Sequence, residues 1–355
     1  MSDIGIYTTR VTSVHTHPYA DRLEIVKIFG TQVCAPKGEY AVGDLVIYFP
    51  PDLMIPEDVS EKLGVSKYLK HSRYDGVKWV PCCIYAAKLR GIPSYGFIDK
   101  ASNHGVSEEG EILTSYFKAK KYQPPMKMPG GAPAQKKEGF FKYTGIQHYW
   151  RFKKEFEDSL QGSAIIITEK VHGTNFRVGR IKDEICVGSH NVRRKLDDAG
   201  IYDVPLRDSK LIDALNEFEG DVVFYGEVYG AGVQDMDYGT EPTYILFDIM
   251  VNGEFLPPCD TYKFCQEHNL PHVPVLYIGP YFANLIEEFT CGKTHLQPSQ
   301  HFDGREGIVI KPTIPRYHGT LGRCIVKSVS ADYYARSEKN EDMLFDPGEK
   351  HESTN

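Results

Sequence analysis

The sequence predicts an α+β chain in two parts, a small β-barrel or sandwich followed by an antiparallel-sheet domain. Three observations predict this. Short strand-like runs with turns at close intervals fill residues 1–122. A stretch rich in proline, glycine and lysine follows over residues 123–138. Residues 139–340 then hold apolar runs that carry a charged residue at an end or inside, and residues 341–355 read as a polar tail. At 355 residues the chain is long enough for two cores.

Composition narrows the function classes. The hydrophobic fraction of 41% and charged fraction of 25% are those of a soluble globular protein. A net charge of −7 argues against a passive, non-specific nucleic-acid binder more than against an enzyme with a local basic groove. Eight cysteines stand at 34, 82, 83, 186, 259, 265, 291 and 324, none in C-x2-C spacing, so neither a zinc site nor a disulfide framework is expected. The N-terminal residues lack the basic and apolar regions of a signal peptide, and no apolar run is long enough to span a bilayer. The expectation is an intracellular, soluble protein with no membrane and no implied oligomeric partner.

In the first part, Val11, Ile25, Val26 and Ile28 fall in strand-like runs, and Gly30, Gly38 and Gly43-Asp44 mark turns. Leu45-Val46-Ile47-Tyr48-Phe49 is a buried-strand pattern closed by Pro50-Pro51. Glu57 to Leu63, opened by Pro56, is the one short helix expected here. The junction carries Lys118, Lys120, Lys121, Lys127, Lys136 and Lys137 around Pro124-Pro125 and Pro129-Gly130-Gly131. It reads equally as a solvated linker or as a phosphate-attracting surface.

In the second part, Ala164-Ile165-Ile166-Ile167 is a buried strand, and Phe176 to Ile181 alternates as a half-buried one. Lys170 stands where the first of these stops, with Gly173 allowing a tight turn into the second. Leu206 to Phe218 reads as an amphipathic helix. Val222 to Gly230 is a strand carrying Glu227, and Tyr244 to Met250 one carrying Asp248 behind Phe247. Glu306 opens another strand, and Cys324-Ile325-Val326-Lys327 ends a fourth on a lysine. Singly, each charge is ordinary. Together they are what covalent nucleotidyl transfer requires.

The chemistry explains the residue types. A lysine amine attacking an α-phosphate must be unprotonated, although its reference pKa is about 10.4. Desolvation or nearby positive charge lowers that value. Negative charge gathering on the phosphate oxygens suits a second lysine such as Lys327. The phosphates also call for a divalent cation, for which Glu227 and Glu306 are the candidate donors, directly or through water. A planar base needs two apolar walls, which Phe247 on one face and Ile308 or Val309 on the other could form. No G-x4-G-K-[ST] run is present, so a P-loop is not the nucleotide site.

Two resemblances sharpen this. His17-Pro18-Tyr19-Ala20-Asp21-Arg22-Leu23-Glu24, with Lys37 to Asp44 and Leu45 to Pro50, resembles the OB barrel of tRNA-binding domains, which implies strand binding. Lys170-Val171-His172-Gly173 resembles the K-x-x-G nucleophile motif of covalent nucleotidyltransferases, whose sheet domain is ATP-grasp-like. The run Glu169 to Phe176 is similar to nick-sealing RNA ligases. The match continues through Tyr225-Gly226-Glu227, Phe247-Asp248, Glu306 to Pro312 and Ile325-Val326-Lys327. With the barrel leading, the chain resembles the family of Naegleria-type RNA ligases and their bacterial relatives.

The resemblance implies an ATP-dependent RNA ligase that uses Mg2+ or Mn2+ and joins RNA 3′-OH and 5′-phosphate ends, as in RNA repair. It implies that Lys170 takes up AMP, Glu227 contacts ribose or metal-bound water, and Glu306 helps hold the metal's water shell. Phe247 would stack on adenine, Asp248 support the site, and Glu169 lie near the adenine, partly through its backbone. Asn175 and Lys327 would contact phosphate or help steer the 3′-OH attack. His172 stands where DNA ligases usually have aspartate. Related ligases often carry K-x-K in the last motif, whereas Lys327-Ser328-Val329 keeps one lysine; Lys311 or Arg323 are candidates for the second role. Ser189, His190, Asn191, Arg193 and Arg194 are candidates for ribose or phosphate contact. The alternatives are a DNA ligase, a capping-type guanylyltransferase, or an inactive RNA-binding OB protein.

Overall fold

The computed structural model describes residues 5–70, 73–74, 79–122 and 128–334. Pro124, Pro125 and Lys127 of the expected linker, and the tail 341–355, lie outside the described residues. The chain divides into two compact units, residues 3–125 with 334–355, and residues 126–333 with 1–2.

The first unit contains β1 (Tyr7–Arg10), β2 (Ser13–Thr16), β3 (Leu23–Ile28), β4 (Thr31–Pro36) and β5 (Leu45–Phe49), then α1 (Glu57–Lys62) and α2 (Ser66–Leu69). Strands β6 (Ala86–Leu89), β7 (Ile92–Tyr95) and β8 (Phe97–Lys100) follow. β1, β5 and β8 form one antiparallel sheet in the order β1-β5-β8, β2-β3-β4 form a second, and β6-β7 is a hairpin. β5 shows why this strand is apolar throughout. Val46 and Tyr48 enter one core with Val26, Ile28 and Val33, while Ile47 and Phe49 enter another with Leu53, Ile84 and Phe117. Successive side chains point to opposite faces, so a strand buried on both sides has no polar face. The single helix expected here is followed by α2, which the sequence reading did not include.

The second unit contains α3 (Lys153–Leu160), β9 (Ile165–Lys170), β10 (Thr174–Ile181), β11 (Glu184–Ser189), α4 (Ser209–Leu215), β12 (Val222–Tyr229) and β13 (Thr243–Val251). It continues with α5 (Pro258–Glu267), β14 (Val275–Gly279), α6 (Asn284–Thr290), β15 (Gly307–Pro312) and β16 (Val326–Val329). One sheet runs β11-β10-β12-β13, extended at its ends by Arg193–Arg194 and Glu254–Phe255. The other runs β16-β15-β9-β14, with Gln147–His148 parallel to β16 at its edge.

The strands on either side of Lys170 therefore do not form a hairpin. β9 and β10 belong to different sheets, and the turn after Lys170 carries the chain from one to the other. Between the sheets lies a core of Ile181, Cys186, Val223, Tyr225 and Met250 from one side and Ile325 from the other, with Phe247 and Val309 against it. The expected helix over 206–218 is shorter. Residues Gly200–Arg207 form a 3-10 segment containing Pro205, and the Asp208 side chain then accepts from Lys210 N to cap α4. The proline and the cap set the start that apolar spacing alone placed too early. Lys327 lies inside β16 rather than at its end.

Part of the expected linker is tied to the second unit. Ala132 N donates to Asp198 O and Ala134 N to Arg193 O, and Arg194 Nη1 donates to Gly131 O. Among the described residues no helix is long and apolar enough to cross a membrane.

Candidate active site

Alternation along β9 decides which side chains share a face. Ile165 and Ile167 enter a core with Ile308, Ile310 and Val326. Lys170 is therefore on the opposite face, and β15 and β16 bring Val309, Lys311 and Lys327 to that same face, since Val309 pairs with both Thr168 and Lys327. On the facing sheet, Val222, Phe224 and Val228 enter a separate core, whereas Val223 and Tyr225 point between the sheets. Glu227 follows them in phase, and Asn175 is its cross-strand partner. Six of the expected site residues thus converge between two sheets.

Phe247 and Asp248 reach this space by a different device. Tyr244, Leu246 and Ile249 all enter the outer core. The interval from 246 to 249 is odd, and the ladder explains it: Tyr225 pairs with Asp248 and Gly226 with Leu246, which leaves Phe247 as an unpaired bulge residue. A bulge re-aims side chains, and here both Phe247 and Asp248 turn inward.

Lys170 Nζ lies 2.7 Å from Glu306 Oε1. The other carboxylate oxygen, Oε2, is buried without a hydrogen-bond partner, as is Asn175 Oδ1. Burial would raise the Glu306 pKa, but the neighbouring lysines, Lys170 foremost and then Lys327, outweigh it, and the carboxyl is held below its ordinary value. Glu227 is the reverse case. Loss of solvent, with Glu306 adding to it and Lys170 opposing, pushes its carboxyl up to about 8. Burial, with the charge of the buried Lys327 beside it adding to the effect, pushes His148 down to about 3.

Two buried oxygens without partners and two carboxylates fit phosphate-bound metal chemistry. Among the described residues no three His, Cys, Asp or Glu side chains form a metal cage. A cation held by Glu227 and Glu306 would take its remaining ligands from phosphate and water, as Mg2+ commonly does.

The turn itself is tightly built. A Cβ on Gly173 would lie 2.2 Å from Val228 O and 2.9 Å from Glu227 Cγ. Gly173 is thus needed for close backbone approach, rather than for the turn conformation expected of it. Val171 is buried. His172 donates its backbone N–H to Tyr238 Oη at 2.8 Å, and its ring lies 2.7 Å from Asp235 Oδ1 and 2.9 Å from Tyr333 Oη.

Several expectations are corrected by position. Ile308 is fully buried in the core on the far face and so does not share a face with Phe247, whereas Val309 packs with Phe247 against the core between the sheets. The Glu169 side chain also points away from Lys170, accepting from Thr294 Oγ1 and from His295 N at 2.8 Å. Lys311 is committed to Asp248 rather than open for the second lysine role. Its Nζ is 2.8 Å from Asp248 Oδ2, Arg323 makes two contacts to the same carboxylate at 2.9 and 3.1 Å, and Tyr143 donates to it as well. Arg193 is paired with Glu184, and Arg194 binds Gly131 O, so both support the 131–135 segment. Tyr143, Asp235, Tyr238 and Tyr333 were not singled out from the sequence, because none lies in a recognisable motif.

Residues 163–329 match the RNA ligase family model, and residues 6–100 match an OB-fold domain model. Within the second unit, residues 163–329 are thus similar to RNA ligases. No curated protein matches the chain. Among solved structures, Naegleria gruberi RNA ligase with PPi is 21% identical with a TM-score of 0.75, over 94% of this chain and 98% of that one. A mutant of the same protein, solved with ATP and Mn, is 21% identical with a TM-score of 0.72, over 95% and 98%. An apo mutant has a TM-score of 0.73 at 21% identity, over 94% and 98%. This likeness gives the fold: an OB barrel followed by the ligase domain.

Proposed function

We propose that the protein is an ATP-dependent RNA ligase that seals 3′-OH and 5′-phosphate RNA ends through an adenylylated Lys170, in RNA repair. The observation that carries this is the Lys170–Glu306 pair at the sheet crossing, with Glu306 Oε2 and Asn175 Oδ1 buried and unpartnered beside it. Such oxygens cost free energy until a ligand meets them.

In the first step the Lys170 amine gives up a proton and attacks the α-phosphorus of ATP, and the bond to pyrophosphate breaks. In the second, a 5′-phosphate oxygen of RNA attacks the same phosphorus and releases the lysine. In the third, the RNA 3′-OH attacks the activated 5′-phosphate and AMP departs. Phe247 and Val309 face the adenine. Lys327 stabilises charge on the phosphate oxygens, and Asn175 orients it. A divalent cation, Mg2+ or Mn2+ as in the Mn-bound Naegleria structures, supplies positive charge that favours the neutral amine and shields the phosphates. Glu227 and Glu306 are the residues to hold it. The OB barrel binds the RNA strand.

The test is covalent labelling. With α-labelled ATP and a divalent metal, label should remain on the denatured chain, be absent from Lys170→Ala, and not arise from GTP. Label from GTP would redirect the reading to capping, and no label would favour an RNA-binding module. Equal sealing of all-DNA and all-RNA nicks would refute the preference for a terminal ribose expected of this site.

A further inference from the structure

The segment between β12 and β13 reaches back over the turn that follows Lys170. Gln234 Nε2 donates to Gly173 O at 2.5 Å, Asp235 Oδ1 meets His172 Nε2 at 2.7 Å, and Tyr238 Oη accepts from His172 N at 2.8 Å. From the other side Tyr333, buried near the end of the unit, sets its hydroxyl 2.9 Å from His172 Nδ1. Both ring nitrogens are thus held. A carboxylate on Nε2 makes that nitrogen the N–H donor, and the tyrosine hydroxyl then donates to Nδ1, which selects one tautomer and one ring orientation. That ring stands 4.0 Å from Glu306 Oε2, the unpartnered oxygen of the carboxylate that grips Lys170.

We propose that residues 233–238 and Tyr333 form a clasp that presets the nucleophile turn, with Asp235 and Tyr333 as positioning residues for His172 and, through it, for Glu306. Each acts by fixing a group that faces the reacting centre, as outer partners of metal-site residues do. Asp235 is half open to water, with a side-chain exposure of 45%. Its removal therefore leaves no large cavity, and a loss of activity there would not come from unfolding.

The proposal rests on the adenylylation reading, and its test begins with wild-type protein that takes label from ATP. Tyr333→Phe removes one hydroxyl and Asp235→Asn one charge, both with little change of shape. Single-turnover labelling over a range of ATP concentrations separates rate from affinity. The expected result is a maximal rate lowered about 10- to 100-fold, with half-saturating ATP and Tm unchanged and part of the rate restored in Asp235→Glu. Nitrogen-15 resonances of the His172 ring, recorded without ATP, should show one tautomer in the wild type and lose that preference in Tyr333→Phe. A Tyr333→Phe protein that labels at the wild-type rate would overturn the positioning role. So would a loss matched by a rise in half-saturating ATP. Absence of label in the wild type overturns the ligase reading instead, and the ring resonances then decide on the clasp alone.

Discussion

Two lysine–carboxylate pairs lie on one face of the β9-β15-β16 sheet, and they have opposite characters. Lys170 and Glu306 are 2.7 Å apart with side chains 22% and 9% exposed. Lys311 and Asp248 are 2.8 Å apart with side chains 4% and 0% exposed. In the sealed pair the hydrogen-bonding capacity is used: Asp248 meets Lys311, Arg323 and Tyr143, and Lys311 also donates to Phe247 O. In the open pair, one oxygen of Glu306 is left over. A closed ion cluster fixes geometry, whereas an incomplete one awaits a ligand. The same residue types at similar distances thus divide into scaffold and site according to what remains unsatisfied.

Breaking each pair should separate these roles. Lys170→Ala should abolish adduct formation, by at least ~10³-fold, because no other amine takes the place of the nucleophile. Its stability should fall by less than that of Asp248→Asn, because Lys170 is partly exposed and the buried Glu306 carboxylate keeps Lys327 as a neighbouring cation. Labelling and urea titration on the same preparation check both. Asp248→Asn should do the opposite. It leaves two buried cations with a weaker partner, a change that costs about 3–5 kcal/mol in comparable buried pairs. A stable Asp248→Asn protein with no adduct would show that Asp248 belongs to the site rather than to its frame.

The second comparison concerns neighbours on β15. Ile308→Ala should cost about 2–4 kcal/mol, because Ile308 is fully buried against Ile165, Ile167 and Ile310. Its half-saturating ATP should stay near the wild-type value. Val309→Ala should cost less, near 1 kcal/mol, yet raise half-saturating ATP several-fold by removing one wall of the base site. Identical nucleotide dependence in the two variants would remove Val309 from the site.

How far the sequence carried this is clear from particular residues. The sequence singles out Lys170, Glu227 and Glu306 because each charge interrupts an apolar run, and the structure places all three between the two sheets. The choice between Ile308 and Val309 was not, because both are apolar and only pairing with Thr168 and Lys327 fixes the phase. Nor was the bulge at Phe247, since an extra residue in a continuous apolar strand leaves no mark in its composition. The tight turn expected after Lys170 is a crossing between sheets, which local turn signals do not reveal because they do not report which partner a strand takes. Asp235 and Tyr333 were invisible for a related reason: 63 and 161 residues separate them from His172.

The smallest effect expected is in the pH dependence of stability, and it sets Glu227 against Asp248. Glu227 has a folded pKa of about 8 against an ordinary value of 4.5. Its contribution is fully present below pH 4.5 and is lost as the pH rises through about 8, because the folded state holds a proton the unfolded chain has released. Asp248 is depressed below its ordinary 3.8 by Arg323 and Lys311, which outweigh burial. Its contribution is present above that value and is lost only as the medium becomes more acid. Glu227→Gln cannot titrate, so it should gain on the wild type between pH 4.5 and about 8, by roughly 1–3 kcal/mol once partial exposure is discounted. Urea titrations at pH 5, 7 and 8.5 would read the gap. A gap that stays constant over this window would mean that Glu227 is already ionised at neutral pH in the free protein. It would then be paired to Lys170 as Glu306 is, and the site would hold two anions before any metal arrives.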